Sequence, residues 1–182
     1  MELDDLLNRL FPYRVRRTAT GELVAAQFAP TTAQDAQELR GPGWAVSRFR
    51  EVWPVFAGQP HTLKFVFQQE TDQRIQGIIS LGRVPPGEQG LQASLLESAP
   101  WNQSRRPDRE YAGVGRQLVL RLILECLRQG GDASILVRPS PGSEGFYRGL
   151  GFIELLPGDT SRMLLGRLRA FRLLREALEV AQ

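Results

Sequence analysis

The segment that decides the fold opens Tyr111-Ala112-Gly113-Val114-Gly115-Arg116-Gln117, and its glycines lead into an apolar helix-forming run from Arg116 to Gln129. A short β-branched run follows, Ala133-Ser134-Ile135-Leu136-Val137. Then comes Phe146-Tyr147-Arg148-Gly149-Leu150-Gly151-Phe152, which places a tyrosine in a short helix, Pro141 to Gly149, just before a Gly-Phe turn. Glycines ahead of a helix let the backbone approach an anion closely. The first amides of the helix lack intrahelical partners, so such a junction suits phosphate.

Within the helix, Gln117, Arg121, Glu125 and Arg128 form one narrow polar stripe on an otherwise apolar surface, the profile of a helix packed on a sheet. Cys126, among Leu122, Ile123 and Leu127, reads as a small buried hydrophobe. Downstream, Phe152 to Leu155 and Arg162 to Leu165 read as strands and Leu168 to Val180 as an amphipathic helix. Upstream, Leu91 to Glu97 reads as a strand stopped by Ala99-Pro100-Trp101-Asn102, since proline cannot continue a ladder. Thr62 to Gln68 and Arg74 to Leu81, separated by Glu70-Thr71-Asp72-Gln73, form an antiparallel hairpin. Leu23 to Phe28 is a further strand, and Thr31-Thr32 cap a helix over Ala33 to Leu39 that Gly41-Pro42-Gly43 ends. Asp4 to Leu10 and Trp44 to Trp53 are read as helical. Antiparallel strands first and a strand–helix–strand crossover later imply an α/β chain, with helices on both faces of a mixed sheet.

A length of 182 residues suits one domain spanning 1–182, with enough chain for a real core. The net charge is +3, and Lys64 is the only lysine, so the positive charge is almost all arginine, which grips phosphates and carboxylates in a planar fork. It is scattered rather than gathered into a basic run, which argues against nucleic acid as a partner. One cysteine and one histidine (Cys126, His61) exclude an internal disulfide and any Cys- or His-cluster metal site. The acidic start Met1-Glu2-Leu3-Asp4-Asp5 is unlike a signal peptide, and no apolar run spans a bilayer, so a cytoplasmic location without membrane contact is expected.

The glycine pair does not make a Rossmann fingerprint, which would need glycine at position 118 (Leu118) and an acid where Arg138 stands. No Gly-Lys-Ser/Thr follows, so it is not a P-loop either. The combination of Gly-x-Gly opening a helix, a strand, and Phe-Tyr-x-x-x-Gly-Phe instead resembles the acyl-CoA-binding core of the GNAT superfamily of N-acyltransferases. The resemblance covers Ile75 to Phe152 and fades over the first sixty residues.

The resemblance implies that acetyl-CoA is the co-substrate and that no metal takes part. Its diphosphate would rest on the amides of Ala112, Gly113, Val114, Gly115, Arg116 and Gln117. Its pantetheine arm would lie where the strand Leu91 to Glu97, through Leu95 and Leu96, splays from the strand Ala133 to Val137. Ser140 and Ser143 stand where the family often has Asn and Ala, and Phe146 precedes the tyrosine. Two departures are plain: Glu110 holds the family's Arg/Gln position, and serine replaces asparagine at 140. Arg105, Arg106 or Arg109 are the candidates to supply the missing positive charge. Tyr147 would be the general acid toward the departing thiolate. Glu97, at the end of the first splayed strand, is the candidate base for the amine, its other reading being a solvated strand-end carboxylate. Trp101 and Asn102 are candidates to line a pocket, whereas Trp44 and Trp53 read as core.

The implied activity is direct transfer of an acetyl group to a primary amine, borne by a small molecule or a peptide. Two rivals remain: a non-catalytic acyl-CoA-binding or interaction module, and an RNA-directed acyltransferase using the arginine surface. The acceptor is not written in the sequence, nor is the oligomeric state, for which a homodimer stays open.

Overall fold

The computed structural model describes residues 11, 13–45, 62–68, 74–82, 91–103 and 105–179. The helical readings of Asp4 to Leu10 and of the segment after Ala45, with Trp53, His61 and the hairpin turn, lie outside these residues. The chain divides into two compact units, Met1–Ser80 with Leu95–Leu118, and Leu81–Ser94 with Val119–Gln182.

In the first unit, strands β1 (Tyr13–Arg17), β2 (Leu23–Pro30), β3 (Thr62–Phe67), β4 (Gly77–Gly82) and β6 (Tyr111–Ala112) run in the order β6-β1-β2-β3-β4, every pairing antiparallel. β4 and β5 (Leu91–Ser98) contribute residues to both units. The expected hairpin is β3 with β4, in the register Thr62↔Ser80 and Phe65↔Gly77. Alternation builds the core: Tyr13 and Val15 of β1 point inward while Arg14 and Arg16 point to solvent. Tyr13, Phe28 and Phe65 meet edge-on or tilted, with ring centroids 4.8 Å apart for Tyr13–Phe28 and for Phe28–Phe65.

Helix α1 is Asp35–Leu39, shorter than the Ala33 to Leu39 expected. Asp35 Oδ2 takes the Thr32 N–H and hydroxyl at 2.6 and 3.0 Å, and its Oδ1 pairs with Lys64 of β3 at 2.8 Å. The carboxylate therefore both starts the helix and fixes it beside the strand. Leu39, Trp44, Ile75, Ile78 and Ala99 form a second core cluster with Leu95 and Trp101 packed against it, so Trp44 is core as expected.

In the second unit the order is β5-β7-β9-β8, with β7 Ile135–Val137, β8 Ile153–Leu156 and β9 Asp159–Leu165. β5 and β7 are parallel and the other pairings antiparallel, which makes the sheet mixed. β7 starts two residues later than expected because Ala133 is left-handed (φ 73°) and the Ser134 N–H turns onto Asp132 Oδ1 at 2.9 Å. The parallel pairing covers Leu91↔Ile135 and Gln92↔Leu136. It takes up only part of the eight-residue β5.

Helix α2 is Val114–Arg128, α3 is Glu144–Leu150 and α4 is Arg167–Glu179. The polar stripe of α2 is partly buried. Arg121 and Glu125 are 0% and 1% exposed, paired at 2.7 Å, and Glu125 also holds Arg128 at 2.6 Å. Cys126 is buried as expected, its thiol pushed up by burial.

Candidate functional site

The glycine junction lies in the first unit, at the end of a hydrogen-bonded block. Pro100–Asn102 form a 3-10 turn after β5, and the chain returns to the sheet edge as the two-residue strand β6, paired with β1 at Arg16↔Ala112 and Arg17↔Tyr111. Gly113 then takes φ 95°, a conformation open to glycine and strained for any other residue. Among the described residues, a Cβ built on it meets nothing within 4 Å. At Gly77 of β4 a Cβ would lie 3.1 Å from both the Glu97 carbonyl and the Leu118 side chain, so the missing side chain lets the start of α2 pack closely on the strand.

Helix α2 begins at Val114, two residues before the expected start, and its first bond runs from the Gln117 N–H to the Gly113 carbonyl at 3.1 Å. The Gln117 side chain donates to the Arg14 carbonyl of β1 at 2.8 Å. The Gln117 backbone N–H and its side-chain amide are thus committed to the fold, and the residue leaves the expected diphosphate cradle. Ala112 is paired in the β1–β6 ladder. The amides ahead of the first helical bond belong to Gly113, Val114, Gly115 and Arg116, and no acidic residue lies in the first turn of α2 to oppose an anion there.

Glu110, the unfavourable departure, is accounted for. Its carboxylate pairs with Arg74 at 2.9 Å, and Arg74 also lies over the Trp101 ring, 4.8 Å from the centroid. Of the three arginines expected to supply charge, Arg106 is tied to Asp108 through Nε and Nη2 at 3.1 and 2.9 Å, which holds the Asp108 carboxyl below its ordinary range. Arg105 is exposed and Arg109 half-buried. The sequence reading missed strand β1, which carries Arg14, Arg16 and Arg17 beside β6 and lays Arg17 over the Tyr111 ring at 5.7 Å. The signal was the alternation of Tyr13 and Val15 with arginines.

Glu97 is buried rather than solvated, and its Oε1 accepts the Ala45 N–H. Leu95 and Leu96 are half-buried. Asn102 and Trp101 do not present their polar atoms to a pocket: Asn102 Nδ2 and Trp101 Nε1 both donate to Gln76 Oε1, at 2.8 and 3.1 Å.

In the second unit, Tyr147 is 6% exposed on α3, its ring between those of Phe146 and Phe152 at 5.1 and 5.2 Å. Burial pushes its phenol up to about 12, and its hydroxyl bonds to none of the described residues. Ser143 donates its hydroxyl to the Ser140 carbonyl at 2.7 Å, and the Ser140 hydroxyl reaches the Ser143 oxygen at 3.4 Å. Only Ser140 therefore keeps a weakly engaged proton. Among the described residues no group of His, Cys, Asp and Glu is placed to hold a metal ion, and no helix is long and apolar enough to cross a membrane.

No protein-family model matches the sequence, and no curated protein matches it. Solved structures do. A proposed acetyltransferase from Exiguobacterium sp. 255-15 superposes with a TM-score of 0.52 at 17% identity, over 81% of this chain and 96% of its own. An acyl-CoA N-acyltransferase from Pseudomonas aeruginosa gives 0.51 at 13% identity, over 79% and 99%. The chain has the GNAT acyltransferase fold. A chain of the AtaT–AtaR complex bound to DNA shares that fold, with a TM-score of 0.50 at 12% identity over 81% of this chain and 97% of its own. In the GNAT fold the Gly113 junction and the Tyr147 helix are the two segments that the sequence motifs singled out.

Proposed function

We propose that this chain is an N-acetyltransferase that binds acetyl-CoA and passes the acetyl group directly to a primary amine. The observation that carries the reading is the Gly113 junction: a left-handed glycine with clear space before it, opening a 15-residue helix whose first turn holds no acid. The diphosphate would rest on the amides of Gly113 to Arg116, with charge from Arg116 and Arg109. Leu95 and Leu96 of β5 would face the pantetheine arm, and Ser140 and Phe146 would border it. The co-substrate supplies an activated thioester. This chain's residues would manage protons, Glu97 accepting one from the ammonium or amine and Tyr147 giving one to the thiolate as the carbon–sulfur bond breaks.

Two measurements test this. Purified protein should release CoA thiol from acetyl-CoA with at least one member of a panel of amines, amino acids, peptides and aminoacyl-tRNA. Gly113→Val should weaken acetyl-CoA binding by tenfold or more in calorimetry, because the side chain would fill the volume kept clear for the ligand and strain a positive φ. Binding without turnover on the whole panel would favour the non-catalytic module, and undiminished affinity in a folded Gly113→Val protein would remove the junction from the site.

A further inference from the structure

Gln76 is fully buried immediately before β4, and no sequence motif marks it. Its Oε1 accepts from Trp101 Nε1 at 3.1 Å and from Asn102 Nδ2 at 2.8 Å, while its Nε2 donates to the Arg74 carbonyl at 3.1 Å. Its backbone is engaged as well: the N–H donates to the Phe65 carbonyl at 2.8 Å, and the carbonyl accepts the Ala99 N–H at 2.9 Å. Asn102, 6% exposed, then uses its remaining oxygen to accept the Tyr111 N–H at 3.1 Å. Beside it the Glu110 N–H donates to the Trp101 carbonyl at 2.9 Å, and the Thr18 N–H to the Glu110 carbonyl at 2.8 Å. A buried amide–amide–backbone relay thus runs from the sheet interior to the residue two before Gly113.

β6 is only two residues long, too short to define the chain's course by its own ladder, and Gly113 beyond it is the freest residue type in the backbone. An anion cradle made of backbone amides works only if those amides are already aimed, since ordering them on binding would subtract from affinity. A satisfied buried amide network costs little to keep and much to break, which suits it to holding one geometry.

We propose that Asn102, itself oriented by Gln76, is a positioning residue that presets the Gly113–Arg116 amides for a diphosphate. The inference rests on the acetyl-CoA reading given above. It assigns Asn102 no contact with acceptor or thioester, and it gives the pair a role specific to the diphosphate portion of the ligand.

The test compares two ligands on the intact chain: acetyl-CoA, and S-acetylpantetheine, which keeps the thioester arm but lacks the diphosphate. Dissociation constants come from calorimetry, by competition for the weaker ligand. In the wild type, acetyl-CoA should bind far more tightly. Asn102→Leu, close in size but unable to accept the Tyr111 N–H, should weaken acetyl-CoA about tenfold, the scale of one lost hydrogen bond together with lost preorganisation. S-Acetylpantetheine affinity should stay unchanged. Equal losses for both ligands would mean general loosening, and no loss for either would mean that the relay positions nothing; each overturns the proposal. Should Asn102→Leu fail to fold, Asn102→Ala, smaller and likewise unable to accept the Tyr111 N–H, is read in the same way. A wild type that binds the two ligands equally, or neither, refutes the acetyl-CoA reading itself, an outcome separate from any behaviour of the variants.

Discussion

Arg74 and Glu110 form an ion pair at 2.9 Å that places a compensating guanidinium on the acid three residues before Gly113. The position that resembles an arginine or glutamine site in the fold's relatives is thus occupied by glutamate without leaving a bare negative charge. The pair is roughly half exposed, so its own contribution to stability is small, and its consequence is read in binding.

Arg74→Met should therefore lower acetyl-CoA affinity, by up to about fivefold at low salt, the range of an exposed pair. Adding Glu110→Gln should restore it, because no unpaired acid then faces the diphosphate. Calorimetry at two ionic strengths checks both, and the loss should shrink as salt screens the charge. An Arg74→Met protein of unchanged affinity at low salt would show that Glu110 lies outside the ligand's field.

The motif segments and the main strands were legible in the sequence, for reasons that particular residues make clear. Thr62–Phe67 and Leu91–Ser98 carry strong β signals, and Pro100 stops the second as proline must. The rest depends on partners that no local window contains. Tyr111–Ala112 is a strand only because β1 lies opposite, and β1 itself places arginines at three of its five positions. Arg121 and Glu125 were legible only as part of a polar stripe, and their burial as a pair depends on tertiary packing. Gln76 gave no signal at all, because a glutamine hub is defined by the donors that converge on it. The candidate site followed the same pattern: glycine and tyrosine motifs were visible, and the bonds from Gln76 through Asn102 to Tyr111 were not.

The buried pair on α2 makes a stability prediction. Glu125 meets both Arg121 and Arg128, so Glu125→Ala would strip that carboxylate from a wholly buried guanidinium. The expected cost is about 3 to 5 kcal/mol, as found when one partner of a buried pair is removed. Replacing Arg121 and Glu125 together by methionine and leucine should cost far less, since the charges that need each other leave together. Urea unfolding of the two proteins measures the difference. Equal destabilisation would show that packing volume, not charge, holds this face of α2.

Glu97 accepts the Ala45 N–H at Oε1 and is the carboxylate proposed as base. Glu97→Gln keeps an acceptor for Ala45 while removing basicity, so the fold and the acetyl-CoA affinity should persist. Turnover should fall by roughly 10² to 10⁴, the usual contribution of a general base. The acidic limb of the pH–rate profile should vanish with it. A Glu97→Gln enzyme with unchanged rate and profile would leave the carboxylate a purely structural anchor for Ala45.

Tyr147 ties its proposed role as general acid to stability in one measurable group. Burial raises its phenol from the ordinary 10 to about 12, because the apolar surroundings of Phe146 and Phe152 disfavour a phenolate. Two consequences follow with definite signs. In the folded protein the hydroxyl keeps its proton throughout the neutral range, as a general acid must, so no limb of the pH–rate profile below about pH 12 belongs to it. In the unfolded chain the same group ionises near 10, so between about 10 and 12 the unfolded state binds fewer protons and stability falls as pH rises. Below 10 this penalty is absent. Tyr147→Phe keeps the ring and its contacts and deletes the hydroxyl. It should leave melting temperature and acetyl-CoA affinity at neutral pH nearly unchanged, lower turnover by roughly 10² or more where chemistry limits the rate, and lose the wild type's extra decline in stability above pH 10. The alkaline stability difference reports burial, and the turnover difference reports the acid. A variant that shows the first without the second would keep Tyr147 in the core and take it out of the reaction.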